Sequence, residues 1–167
     1  KGAVVATLSE RDIEEFYAIK SILEGYAARM AAENLSDKDI ERLEAINGKL
    51  QEIAEEGDIK NFFKVHNEFH ELFIRASGND KLLVLINQLV LKFNRLRLAS
   101  LSQPGRMQIS VQEHKKIIKA FRDHNGELAD DLVRRTATIG AEVLINNMTD
   151  VDQSQRRGDE ALPRVDI

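Results

Sequence analysis

Three of the four histidines in this sequence fall where helical spacing turns them inward. His66 and His70 stand four residues apart in a segment whose apolar members are Ile59, Phe62, Phe63, Phe69 and Phe73. At roughly 100° per residue, both imidazoles lie inside the stripe those side chains define. The i, i+4 spacing sets the two rings one turn apart on one face, which suits two ligands of a single metal ion. His114 lies at the centre of a second stripe, formed by Val111, Ile117, Ile118 and Phe121. Three imidazoles suit a divalent ion, with Zn, Ni and Mn the leading choices. A lone inward histidine also reads as a hydrogen-bonded core residue. The pair plus a third favours a shared ion, provided the two helices bring His114 to the pair. His124 falls in a turn and receives no role.

Charged and hydroxylated residues occupy inward positions too. Lys20 is flanked by Phe16, Tyr17 and Leu23, with Glu24 one turn on. Arg97 sits beside the stripe of Leu89 and Phe93, and Thr136 is surrounded by Leu132, Val133, Ile139 and Val143. Cations beside a metal suit a small carboxylate, because Arg offers a bidentate clamp and the metal a Lewis acid. Simpler readings stand beside these. Lys20 can pair with Glu24 on its own helix, and Arg97 can form a salt bridge at a helix edge. Glu113 beside His114 reads as a support for that histidine or as a solvated flank. Asn79 reads as a turn or cap residue.

The elements that must position these groups are helices. Apolar residues recur at three and four, and only Pro104 and Pro163 interrupt the chain. Ser9 with Asp12 and Ser36 with Asp39 have the form of helix N-termini. The pattern predicts a first helix from Ser9 to about Asn34 and a second ending at Gly57. A third ends at Ser77-Gly78-Asn79. A fourth, from about Asp80 to Ser100, is apolar on several sides, as a central or interface helix would be. After Ser102-Gln103-Pro104-Gly105 a fifth carries Ile109 to Phe121. After Asp123-His124-Asn125-Gly126 a sixth runs to about Met148. From Thr149 the chain reads as a polar, mobile tail. The expected architecture is an all-α antiparallel helical bundle of six or more helices.

Composition narrows the function. Hydrophobic residues make up 43% and charged residues 31% of 167, which fits a soluble globular domain. The net charge of −4 argues against a nucleic-acid surface along the whole chain. No cysteine is present, which excludes disulfides, thiolate metal sites and a Cys nucleophile. No apolar run approaches the ~18 residues of a membrane helix. The opening Lys1-Gly2-Ala3-Val4-Val5-Ala6 is too short for a signal-peptide core, and no initiator Met is present. A cytoplasmic fragment or processed chain is expected.

Several of these residues together resemble a known family. Ile19-Lys20-Ser21-Ile22-Leu23-Glu24-Gly25 is followed by Phe69-His70 with Ala76-Ser77-Gly78-Asn79, then by Glu113-His114 and a last amphipathic helix. This succession looks like the FadR-type C-terminal (FCD) effector domain of GntR-family transcriptional regulators, over about residues 9–148. The resemblance implies a helical bundle, usually dimeric, that binds a small metabolite, often an organic acid, above a divalent metal. The family's metal set contains an Asp, the Phe-His histidine, the Glu-His histidine and a histidine of the last helix. His70 and His114 match the second and third. His66 stands at the Asp position and Thr136 at the last, where it can hold a water or touch the ligand. Lys20 stands where the family commonly has Arg, keeping the charge and losing the planar fork. The resemblance also implies a winged-helix DNA-binding domain before this one, with residues 1–8 as the linker from it.

The expected function is that of a ligand-sensing regulatory domain and not an enzyme. His66, His70 and His114 hold the metal, and Lys20, Arg97 and Thr136 meet a carboxylate effector. The fragment forms a homodimer, binds no nucleic acid itself and touches no membrane. One rival is a purely structural dimerisation bundle. Another is a metal-dependent hydrolase, for which the inward faces offer only Glu24 and the off-centre Glu113 as base.

Overall fold

The computed structural model describes residues 9–160, with side chains described to residue 148. Seven helices and no strand occur among the described residues: α1 (Glu10–Asn34), α2 (Asp37–Glu56), α3 (Ile59–Ala76), α4 (Asp80–Lys92), α5 (Asn94–Leu101), α6 (Arg106–Arg122) and α7 (Gly126–Glu160). The all-α expectation is met.

Local chemistry fixes most helix ends. Ser9 with Asp12 and Ser36 with Asp39 form reciprocal capping boxes at α1 and α2. Asp58 and Asn79 cap α3 and α4 by accepting from the backbone N–H groups of Asn61 and Leu82. Gly57 ends α2 in the left-handed conformation (φ 74°), where a side chain would be strained. His124 also has positive φ (50°), and its ring holds that turn by a 2.9 Å bond to the Ala32 carbonyl.

The structure departs from the sequence reading in two places. The predicted fourth helix is broken at Phe93 into α4 and α5, with no Pro or Gly at the break. Phe93 packs on Phe16 with ring centroids 4.3 Å apart, and α5 is re-aimed so that Leu96, Arg97, Ser100 and Leu101 turn inward. The break is thus a tertiary effect that local pattern does not carry. The last helix does not stop near Met148: α7 continues to Glu160. Polarity ended the predicted helix, but polar residues end a burial face and not a helix. The remaining part of the expected tail, residues 161–167, and the expected linker, residues 1–8, lie outside the described residues.

Helix α1 packs chiefly along α7, and α2 lies against α3 and α6. The main apolar core gathers Ala27, Ala31, Leu43, Leu50, Phe62, Phe69, Phe73, Ile117 and Phe121. A smaller cluster of Ile13, Phe16, Tyr17, Leu96, Ala137 and Leu144 fills the other end. Between the two, a set of polar side chains is buried.

Candidate metal centre and anion pocket

Helix α3 delivers His66 and His70, and α6 delivers His114 from across the bundle. All three are buried, and one ring nitrogen of each lies within 4.8 Å of the others. Ring centroids are 4.6 Å apart for His66–His70, 5.0 Å for His66–His114 and 5.6 Å for His70–His114. Phe69 stacks flat on the His114 ring at 3.8 Å. The condition set by the sequence, that His114 reach the i, i+4 pair, is therefore met in the fold.

Two of the rings are anchored from behind. The Glu24 carboxylate, one turn after Lys20 on α1, receives Lys20 Nζ at 2.6 Å and lies 3.1 Å from His70 Nδ1. Burial alone would push Glu24 up. The charges of Lys20 and Arg97 and the hydrogen bond from His70 outweigh it and hold the carboxylate well below its usual range. An ionised Glu24 can only accept, so His70 carries its proton on Nδ1 and leaves the Nε2 lone pair free. Asn47 of α2 performs the same task for His114. Its Nδ2 donates to the Val111 carbonyl at 3.2 Å, which turns Oδ1 toward His114 Nδ1, also at 3.2 Å. His114 then presents Nε2 as its free nitrogen. His66 Nδ1, His70 Nε2 and His114 Nε2 are buried without a hydrogen-bond partner among the described residues. Burial pushes all three imidazoles down, His66 and His114 well below the ordinary histidine value. Neutral rings with free inward lone pairs are what a metal ion requires of its ligands.

The cations gather on the opposite wall. Lys20, Arg97, Arg106 and Thr136 line one small chamber with His66 and His70. Its volume is about 30 Å³, enough for one or two water-sized groups. Burial pushes Lys20 and Arg97 down, with Glu24 opposing in both cases. A guanidinium remains charged at neutral pH even so. Three buried cations face one buried carboxylate, Glu24. Arg97 Nη2 and Arg106 Nε and Nη1 have no partner among the described residues. Uncompensated buried cations are costly unless an anion joins them. The Thr136 hydroxyl donates to the Leu132 carbonyl at 3.0 Å, so toward the chamber it offers only an acceptor.

The structure thus brings together all six residues singled out from the sequence. It adds Arg106 and Asn47, which sequence reasoning missed. Asn47 carried a signal, a polar residue four after Leu43 and three before Leu50 in the α2 stripe. Arg106 lies eight residues before His114, two turns back on a neighbouring face. The Pro104-Gly105 break and the poor fit of a cation to a helix N-terminus both argue against placing it there. Tyr17 reaches the same chamber because α7 carries Gly140 opposite. A Cβ at Gly140 would come within 2.9 Å of the Tyr17 ring.

Comparison with known proteins bears on the family and the fold. The family model for the FCD domain matches residues 15–138. A probable D-xylose utilization operon transcriptional repressor of Paenarthrobacter nicotinovorans is 33% identical over 129 residues, covering 77% of this chain and 56% of its own length. The chain thus spans about half the length of that relative. Among solved structures, E. coli McbR/YncC superposes with a TM-score of 0.70 at 22% identity, over 89% of this chain and 71% of its own. The metal-free FCD domain of TM0439 gives 0.68 at 22% identity, over 86% of this chain and 99% of its own. At that identity the two structures speak for the fold alone. No helix among the described residues is long and apolar enough to cross a membrane.

Proposed function

The chain belongs to the FCD domain family, and we propose that it senses a small carboxylate metabolite, with a bound divalent metal, for a bacterial transcription regulator. The curated relatives it matches are named as transcriptional regulators, a non-enzymatic class. The observation that carries the proposal is the convergence of three unpartnered imidazole nitrogens beside unpartnered guanidinium groups. His66, His70 and His114 would hold the ion, and Glu24 and Asn47 orient two of them. When bound, the ion supplies a Lewis-acid face for an anionic oxygen. Zn or Ni fits an all-imidazole set best, and Mn, a harder ion that favours oxygen ligands, fits it less well. Lys20, Arg97 and Arg106 attract and clamp the carboxylate, and Thr136 can hold a water or touch the effector. DNA binding would belong to a winged-helix domain outside this chain, and the working compartment would be the cytoplasm.

Two features support a homodimer. Ile19, Ile22 and Tyr26 form an exposed apolar stripe on α1, and Val84, Leu85 and Leu91 form another on α4. These two helices are packed neighbours. Arg97 follows α4 directly across the Phe93 break, so a ligand drawing on Arg97 biases the position of α4. A Leu91→Lys, Val84→Glu variant is expected to be monomeric by light scattering at micromolar concentration. A wild-type monomer would count against the dimer.

The hydrolase alternative lacks a base. Glu24 is tied to Lys20 and His70, and Glu113 pairs with Lys116. The deciding experiment measures metal content of protein purified without chelator or metal-affinity tag, beside a His70→Ala variant. About one equivalent of Zn, Ni or Mn, lost in the variant, is expected. No metal after purification, and none taken up on titration, overturns the reading.

A further inference from the structure

A groove of about 360 Å³ runs between α2 and α6, within the ~300–1,000 Å³ that small-molecule sites occupy. It shares no lining residue with the chamber of Lys20 and Arg97. Two side-chain pairs cross it. Arg122 Nη2 donates to Glu44 Oε1 at 2.6 Å toward one end, and Lys115 Nζ donates to Gln51 Oε1 at 3.2 Å toward the other. Both pairs are exposed, and exposed pairs contribute little to stability, so a ligand can displace either.

Between the two pairs α2 presents a glycine. Gly48 lies four residues after Glu44 and three before Gln51, on the face that lines the groove. Glycine is the poorest helix former after proline, and Gly48 stands in the middle of a 20-residue helix. Packing does not require it: a Cβ there would meet nothing within 4 Å. What the missing side chain provides is room for a ligand to approach the backbone. Buried Ile118 and buried Asn47 line the same stretch.

The charge of the groove runs against that of the chain. The whole sequence carries −4, yet the groove is lined by three cations and one carboxylate. Lys119 is answered by Asp123 at 2.5 Å and Arg122 by Glu44. Lys115 faces the neutral Gln51 amide and has no carboxylate partner among the described residues. An anionic group is therefore drawn to the Lys115 end and repelled from the Glu44 end. The body of the ligand then lies over Gly48 and Ile118. A flat ring fills such a slot at less ordering cost than a flexible chain. Asn47 links the groove to His114. Its Nδ2 gives one hydrogen to the Val111 carbonyl and keeps a second, while its Oδ1 lies 3.2 Å from His114 Nδ1.

We propose that the α2–α6 groove is a second ligand site, for a small aryl carboxylate, and that its occupancy is felt at His114 through Asn47. The site stands apart from the metal and effector readings, since Asn47 is the one residue it shares with them.

The test follows the full, 15N-labelled, metal-free chain by NMR during titration with 2-naphthoate. Saturable amide shifts should gather at Gly48, Gln51, Lys115 and Lys119, and the His114 Nδ1 signal should move on the same curve. Gly48→Leu fills the groove with a good helix former, so it should melt no lower than wild type and bind at least about tenfold more weakly. Lys115→Gln, an exposed change, should weaken binding about threefold to fivefold, as should the neutral probe 2-naphthalenemethanol on the wild type. No saturable shift up to about 10 mM overturns the site. So do shifts gathered at Arg97 and Ser100, which place the probe in the chamber, and so does full affinity in Gly48→Leu. 2-Naphthalenemethanol binding as tightly as 2-naphthoate overturns the carboxylate assignment. A still His114 signal at saturation overturns the link through Asn47.

Discussion

On α3, Phe69 and His70 are neighbours, yet each belongs to a different interior. Phe69 joins Phe62, Phe73, Ile117 and Phe121 in a core closed by apolar contact. His70 meets His66 and His114, and with His66, Lys20, Arg97 and Arg106 it lines a chamber whose polar atoms are only partly satisfied. The first interior is complete in the free chain. The second retains unpartnered lone pairs and donors, and completing them falls to an ion and an anion. Stability should therefore reside in one and binding in the other.

The sharpest way to break that division is a pair of substitutions. Phe69→Ala removes a fully buried ring that stacks on His114, and should cost about 3–5 kcal/mol in urea unfolding of the metal-free chain. His66→Leu removes a buried imidazole whose Nδ1 is unpartnered, and should shift the same measurement by less than about 1 kcal/mol. Equal losses would mean that the chamber is ordinary core.

Metal should narrow the gap. An ion that binds only the folded chain adds about 2.7 kcal/mol when present at a hundred times its dissociation constant. Melting of the wild type with and without excess Zn should show that gain, and chelator should remove it. His66→Leu should show none of it. A Zn-induced rise that survives in His66→Leu would remove that histidine from the set.

The two interiors also differ in how far the sequence discloses them. The main core follows from three-and-four spacing, and the capping boxes at Ser9 and Ser36 mark where α1 and α2 begin. The inward directions of His66, His70 and His114 were legible for the same reason. Their mutual distances were not, because these depend on how α3 packs against α6. Arg106 was hidden by a break that local rules read as loop. The Phe93 bend, which points Arg97 and Ser100 inward, is caused by a ring on α1 far away in sequence. Periodicity reports a face, and packing decides what that face meets.

Acidification separates the interiors again. The three histidines are neutral when folded, with values depressed by burial, whereas in the unfolded chain they titrate near 6.5. Below about pH 6.5 the unfolded state therefore binds more protons, and unfolding free energy falls as pH falls. The slope reaches about 1.4 kcal/mol per pH unit for each histidine, until the depressed folded values are passed. Glu24, held low, stays ionised across this window. Metal-free wild type melted between pH 7.5 and 5 should show the loss, and His66→Leu should show a shallower one. Parallel profiles would mean that His66 is protonated in the folded chain.

The smallest expected effect tests the cationic wall. Arg106 is buried, and its Nε and Nη1 have no partner among the described residues. Tyr17 and Glu113 favour its charge, but burial outweighs them. Replacing such a group by an apolar one of similar length removes a desolvation cost and leaves no charge unpaired. Arg106→Met should therefore leave the metal-free chain as stable as wild type, or more stable by up to about 1 kcal/mol. The same variant should bind succinate more weakly while holding its metal. A clear loss of stability would assign Arg106 to the first interior, as a structural ion, and the chamber would then have two cations for its anion in place of three.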